Sequence, residues 1–391
     1  MRGKYLVRSA GAFAALSLAD AVLSLLPRDK PADKSGDLRR VLIGVGGHLG
    51  DAVMATGALG LIARTRPDLE LGIAAGNWSA EVFRGHPAVR WLHAVDHWKL
   101  NRSPLRLPEK LRHSSATTRA AVAAIRKVRY DAAVDLYPFF PNMASLFARA
   151  GVPIRIGYSS GGLGALYTDA VTWTHDQTHM TAKHARLVAH LFAAPDAAGR
   201  ELQYQLPPAT SAVNARVDAL LARPLLERFI VLHPGAGAAQ KEWPLARWKA
   251  LAAEFRDRGY TIVVTGAGIR DEASARQIIA NVPECVDLTG RVTWPEFVEV
   301  VRRAALVISG DTAAAHVAAA CGTRQVALFS GITDSVEWRP AGLNGKVLMQ
   351  PVPCAPCFRN DGCDSMTCIR GVGVAQVVGT AIEILNDSGR P

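Results

Sequence analysis

The stretch "RRVLIGVGGHLGDAVMATGALGLIARTRPD", residues 39–68, decides how the chain is read. An apolar run of strand length breaks into glycines at Gly46 and Gly47, and a helical stretch follows from about Asp51. Strand, glycine turn and helix, in that order, open a βαβ unit. The glycines do not complete a dinucleotide-binding fingerprint, because Gly44 and Gly46 are followed by Leu49 where a third glycine is needed. The other use of such a turn is to present the carboxylate of Asp51.

Working outward, short apolar runs recur as "LELGIA" (69–74), "WLHAV" (91–95), "DAAVDL" (131–136) and "IRIGY" (154–158), separated by helical stretches such as "SATTRAAVAAIRKVR". The pattern blurs from 159 to 225. It restarts with "RFIVLHPG" (228–235), "YTIVVTGAG" (260–268), "CVDLTG" (285–290), "ALVISGD" (305–311) and "QVALFSG" (325–331). The chain is therefore predicted to be α/β, with two Rossmann-like domains built on parallel sheets. The expected boundaries are 1–37 for an N-terminal segment and linker, 38–205 for the first domain and 206–391 for the second. The last helix is a candidate to pack back on the first domain, and the cleft between the domains is the default site.

With 391 residues, 49% hydrophobic and 20% charged, the chain has an ordinary globular balance. A formal charge of +11 favours an anionic partner, which leaves nucleic acid, phosphorylated sugars and acidic membranes open. The basic residues are scattered, with no basic stretch interleaved with aromatics, so nucleic acid is set aside.

Three readings compete for "MRGKYLVRSAGAFAALSLADAVLSLLPRDK". A membrane-spanning helix is opposed by the short apolar run and by Asp20. A signal peptide could cleave at "ADA", 19–21, but the apolar run continues past it. An interfacial helix within 1–28 fits best: Ser17, Asp20 and Ser24 share one face, Leu16, Leu23 and Leu26 lie elsewhere, and Arg2, Lys4, Arg8, Arg28 and Lys30 flank the segment. A helix packed on the protein itself is the bland alternative. "PRDKPADKSGD", 27–37, reads as a linker.

In the second half, "ALVISGDTAAAHVAAACG" is a buried strand followed by Gly310, Asp311, Thr312 and an alanine-rich helix. Asp311 or Thr312 can cap that helix, and its free N–H groups make an anion site at a strand end. Small residues from Ala313 onward let a diphosphate approach the backbone. His316 alone is more often a packed helix residue. "LHPGAGAAQKEWPLARW", 232–248, brings Lys241 as a phosphate counter-ion or a solvated surface lysine. "TGAGIRDEASAR", 265–276, offers Asp271 or Glu272 to a ribose hydroxyl. Each signal is weak singly; their convergence at three strand ends of one domain is stronger.

These motifs together, with "GHLGDAVMATGALGLIARTRPD" before them and "SGDTAAAHVAAACGTRQVALFSGITD" after, resemble glycosyltransferase family 9, which contains the ADP-heptose:lipopolysaccharide heptosyltransferases of Gram-negative bacteria. The resemblance runs from about Arg39 to near the C-terminus. It implies a GT-B fold, a nucleotide-sugar donor held mainly by the second domain, a lipopolysaccharide or lipid-linked acceptor, and inverting transfer with no metal or other cofactor required. It further implies a cytoplasmic enzyme peripheral to the inner face of the inner membrane. By position, Asp51 matches the general base. Lys241 and Asp311 match the donor-site lysine and aspartate, Thr312 and Ala313 the diphosphate-holding backbone, and His316 the motif histidine. Glu272 matches the ribose-holding acid and Val292 the residue beside the adenine. Two departures stand out: Ala313 replaces the usual glycine, and Gly235, Ala236 and Gly237 replace small polar residues, so only their backbone can bind donor. These leave another nucleotide-sugar, for O-antigen or capsule, as the alternative, with a non-catalytic nucleotide-binding module as a further one that Asp51 and Lys241 in their motifs argue against.

Cys354, Cys357, Cys363 and Cys368 form a C-x2-C-x5-C-x4-C loop. Four thiolates could close a structural zinc site, but the second pair is not a tight knuckle, and free thiols or a disulfide are alternatives. Similar loops in some family members imply a structural feature near the acceptor side.

Overall fold

The computed structural model describes residues 4–7, 9–25, 38–192, 200–221, 229–342, 344–359 and 361–387; the expected linker 27–37 lies outside them. The chain divides into two compact units, Met1–Pro207 and Pro208–Pro391.

The first unit runs α1 (Ala10–Ser24), β1 (Arg40–Val45), α2 (Leu49–Thr65), β2 (Glu70–Ala75), α3 (Asn77–Ala80), β3 (Val89–Ala94), α4 (Leu107–Val128), β4 (Ala132–Asp135), α5 (Ala144–Ala150), β5 (Ile154–Tyr158), β6 (Asp169–Val171) and α6 (Met180–Phe192). Its strands pair in parallel in the order β3-β2-β1-β4-β5-β6. Central β1 is covered on both faces, which is why "VLIGV" is an unbroken apolar run rather than an alternating one. The chain leaves β1 toward β2 on one side and later returns to β4 on the other, so the carboxyl ends of β1 and β4 frame a topological switch point.

The second unit runs α7 (Ser211–Leu221), β7 (Phe229–His233), α8 (Leu245–Asp257), β8 (Thr261–Val264), α9 (Ile269–Asn281), β9 (Val286–Asp287), α10 (Trp294–Arg303), β10 (Leu306–Gly310), α11 (Ala313–Cys321), β11 (Gln325–Leu328), α12 (Ser335–Trp338), β12 (Gly345–Leu348), α13 (Thr367–Arg370) and α14 (Val374–Asn386). Its parallel order, β12-β11-β10-β7-β8-β9, repeats the same logic, with β7 and β10 framing the switch point. Helix starts follow local chemistry. At α10 the Thr293 N–H donates to Glu296 Oε2 at 2.7 Å, and Pro295 sits in the first turn, where its missing N–H costs nothing. The core is apolar: Trp248, Leu251 and Phe255 of α8 pack with strand residues such as Ile230 and Ile262. Each such side chain contributes about 1.5–3 kcal/mol on burial.

Three features differ from the sequence reading or sharpen it. The edge strands β6 and β12 are too short and too polar to show as apolar runs. Helix α14 packs on α8, β11 and β12, all of the second unit. The cysteine loop also packs in the second unit: the Cys357 N–H donates to Gly331 O at 2.7 Å and Cys368 is buried in the core beside Ile369.

Helix α1 packs on the first unit, against the turn at Gly164–Leu166. It buries Leu16 and Asp20 and exposes Leu18, Val22 and Leu25. The face of Asp20 is thus turned inward, where Tyr5 Oη donates to Asp20 Oδ2 at 2.6 Å and Lys4 Nζ stands 3.3 Å away, offsetting the cost of burying a carboxylate. No helix among the described residues is long and apolar enough to cross a membrane.

Candidate functional site

In the first unit, Asp51 is the third residue of α2, directly after the β1 turn. The His48 N–H donates to Asp51 Oδ2 at 2.7 Å, so this carboxylate caps its own helix. Gly47 is required beside it, because a Cβ there would overlap the Asp51 carboxylate. The Gly47 carbonyl accepts from Trp78 Nε1 at 2.9 Å, which pins the turn from outside.

Asp51 lines a small cleft with Tyr137, Met180 and His184. Tyr137 comes from the segment after β4, so the cleft lies at the switch point. Burial raises its phenol well above the ordinary value, and the carboxylates of Asp51 and Asp135 add to the rise. It therefore faces Asp51 as a neutral hydroxyl. His184 Nδ1 is buried without a hydrogen-bond partner, and burial pulls the imidazole down to about 3, so it is neutral at physiological pH. Arg102, from the segment after β3, is exposed at the rim. Loss of water lowers its guanidinium below the usual value, while the charge of Asp51 opposes that shift. The sequence reading missed Tyr137, His184 and Arg102; they come from three segments that only the fold brings to Asp51.

Asp135, at the end of β4, holds the Tyr137 segment. It accepts from the N–H groups of Tyr137 at 3.0 Å and Met143 at 2.6 Å, and from Tyr167 Oη at 2.8 Å. Burial outweighs these three donors and lifts the carboxyl to about 6.

In the second unit, Lys241 closes a single 3-10 turn, Ala239–Lys241, after β7, and Asp311 and Thr312 link β10 to α11. Lys241 Nζ donates to Asp311 Oδ2 at 2.6 Å, and Thr333 Oγ1 donates to the same oxygen at 2.9 Å. The Lys241 loop is anchored by buried Trp243, whose Nε1 donates to Val372 O and whose ring meets Trp248 edge-on at 5.2 Å. Thr312 occupies the N-cap of α11 but makes no side-chain cap bond, and its Oγ1 is buried without a partner. The first-turn N–H groups, beginning with Ala313, have no acceptor inside the helix. His316 is buried one turn further along α11. A cation, an orphan hydroxyl and a helix N-terminus thus converge at the β7/β10 switch point, which is an anion-binding arrangement. Thr333 sits inside "SGITD", where no local pattern singles it out.

Asp271 and Glu272 part ways. The Asp271 carboxylate fills the space that side chains at Gly235 and Gly266 would need, and its Oδ2 accepts from the Ala267 N–H at 2.9 Å. Asp271 is thereby a brace between the turns after β7 and β8, and glycine at 235 is required by contact. Glu272 instead reaches toward Gly290, two residues before the half-buried Val292. Ala236 is half-buried and Gly237 exposed in the loop before Lys241. Among the described residues no three or more His, Cys, Asp or Glu side chains group as metal ligands; Cys354 and Cys363 are exposed while Cys368 is buried.

The sequence profile of glycosyltransferase family 9 (heptosyltransferase) matches residues 118–366. Lipopolysaccharide heptosyltransferase 3 of Escherichia coli is 24% identical over 304 residues, spanning 74% of this chain and 83% of that protein. Lipopolysaccharide heptosyltransferase 1 of Pseudomonas aeruginosa PAO1 is 25% identical over 330 residues, spanning 82% and 86%. Among solved structures, the E. coli ADP-heptose LPS heptosyltransferase II superposes with a TM-score of 0.72 at 19% identity, covering 89% of this chain and 98% of that one. A family 9 glycosyl transferase of Veillonella parvula gives 0.76 at 17% identity, covering 90% and 99%. At such identities the structural likeness carries the fold, that of the GT-B heptosyltransferases.

Proposed function

The chain belongs to glycosyltransferase family 9 (heptosyltransferase), and from that premise we propose that it moves a heptosyl group from ADP-heptose to a lipopolysaccharide or lipid-linked saccharide acceptor, with inversion. The observation that carries the reading is the convergence of Lys241, the unpartnered Thr312 hydroxyl and the N-terminus of α11 at one strand-end crevice.

The work divides between the units. In the second, the donor diphosphate lies against the first-turn N–H groups at Thr312 and Ala313, with small Ala313 permitting the approach. Lys241, aimed by Asp311, meets the charge that grows on the departing diphosphate, so positive charge comes from the chain rather than from a metal. Gly235 and Ala236 offer backbone only, His316 supports α11, and Glu272 and Val292 sit where ribose and adenine would extend. In the first unit, Asp51 takes the proton of the acceptor hydroxyl as that oxygen bonds to the anomeric carbon and the carbon–phosphate oxygen bond breaks. The nucleoside diphosphate leaves with the bonding pair, and the new glycosidic bond lies on the opposite face. Arg102 beside Asp51 suits an acceptor bearing phosphate or carboxylate. The enzyme would act in the cytoplasm, at the inner face of the inner membrane where a lipid-linked acceptor is held.

Asp51→Asn tests this division. The amide keeps the shape of the helix cap but cannot take a proton, so turnover is expected to fall by about a hundredfold to ten-thousandfold. Calorimetric binding of ADP is expected to stay unchanged. Turnover equal to the parent enzyme's would remove Asp51 from the base role.

A further inference from the structure

Nine large hydrophobic side chains stand exposed among the described residues, and seven of them fall in two segments of the first unit. Leu18, Val22 and Leu25 form one group; Trp98, Leu105, Leu107 and Leu111 form the other, on the run from β3 into α4.

Along α1 the spacing i, i+4, i+7 stacks Leu18, Val22 and Leu25 into a single stripe. Gly11, Ala14, Ala15 and Ala21 are exposed with them, and the exposed Ser24 hydroxyl turns back to Ala21 O at 2.7 Å. A helix on a water-facing surface buries its leucines and exposes its carboxylates. This one keeps Leu16 inside, packed on Gly162 where a side chain would have no room, but also turns its one carboxylate, Asp20, inward to Tyr5 and Lys4 and leaves Leu18, Val22 and Leu25 outside. The inward polar contacts hold the stripe outward.

Topology puts the second group on the same edge of the sheet. Strands β3 and β5 are parallel members of one sheet, so the segments that follow them leave from its carboxyl edge. The 97–111 run follows β3; α1 packs on the turn that follows β5. The Asp51 turn follows β1 on that edge too. Cations accompany the second group. Residues 97–112 carry five, Lys99, Arg102, Arg106, Lys110 and Arg112, against Glu109 alone.

We propose that these two segments form one docking surface for an anionic lipid bilayer. The α1 stripe seats at the boundary of headgroups and acyl chains, Trp98 sits at headgroup level, and the cations meet lipid phosphates. Docking there brings the carboxyl edge, and with it Asp51, to the membrane; this consequence rests on the lipid-linked acceptor proposed above. The same cations disfavour a second copy of the chain as the occupant, since two such faces would oppose like charge to like.

The test is sedimentation of the full chain with vesicles of phosphatidylglycerol and cardiolipin, and separately of phosphatidylcholine. Binding is expected to the anionic vesicles alone, weakening as salt rises. Because all three side chains are exposed, L18S/V22S/L25S should fold as the parent does, and its partition is expected to drop by about tenfold or more. K99Q/R106Q/R112Q should lose the salt-sensitive part. No binding to anionic vesicles, equal partition of the L18S/V22S/L25S variant, or a dimer that this variant converts to monomer would each overturn the proposal. Transfer to a deacylated, water-soluble acceptor, measured on the same preparations, separates the two readings. Lost vesicle binding with transfer intact sinks the docking surface alone; intact binding without transfer sinks the proposed reaction and upholds the surface.

Discussion

The His48 N–H already holds one oxygen of Asp51, and the absence of a side chain at Gly47 leaves room for that carboxylate, so the proposed base is set in place by its own helix start. Gly47→Ala pushes a methyl into that space. The expected outcome is a fall in kcat of about a hundredfold with the KM for donor unchanged, because a displacement near 1 Å costs that much in a reacting geometry. Steady-state kinetics check it; a raised donor KM with kcat intact would place the turn in donor binding instead. Lys241 answers differently. Lys241→Met leaves Asp311 with Thr333 as partner and removes the cation from the proposed leaving-group site. Turnover should drop by about a hundredfold or more, and ADP should bind more weakly by calorimetry. The positions of Asp51 and Lys241 after strand ends were both legible in the sequence because each stands in a motif there. Thr333, Tyr137, His184 and Arg102 were not, because a side chain that enters a site from a distant segment leaves no local pattern.

Among the elements, the segment after β4 depends on one buried carboxyl. Asp135 in the folded chain keeps its proton to about 6, but in the unfolded chain releases it near the ordinary 3.8. Between those values the unfolded chain binds fewer protons, so Asp135 contributes full stability below about pH 4 and loses it as pH rises through 6. The loss amounts to about 3 kcal/mol. Denaturant midpoints from pH 4 to 7 should show this slope, and Asp135→Asn should flatten it while costing about 1–3 kcal/mol at acid pH, since its amide must face one of the three present donors. An unchanged slope would assign it to other carboxylates. The alternation of apolar runs and helices exposed the parallel strands because both faces of each sheet are covered. It missed β6 and β12 because these edge strands are only three and four residues long and carry Asp169 and Lys346. Helix α1 shows the limit of periodicity: its polar and apolar stripes can be counted from sequence, but Tyr5 and Lys4 decide that the Asp20 side turns inward.

At the scale of the molecule, two repeats of one sheet topology put a carboxylate at the switch point of the first unit and an anion cradle at that of the second. The order of motifs disclosed this division and the family, whereas the proposed donor contacts at Gly235, Ala236 and Ala313 are made by backbone, which residue types describe poorly. The most direct measurement is therefore of the product. The chain would be incubated with ADP-heptose, or with ADP-, GDP-, UDP- or dTDP-linked hexoses, and a deacylated lipopolysaccharide core acceptor. The acceptor would then be analysed by mass spectrometry and its new anomeric centre by NMR. One added heptosyl residue, from ADP-heptose only and with inverted configuration, is the expected result. Transfer of a different sugar, retention at the anomeric carbon, or no addition from ADP-heptose would contradict it.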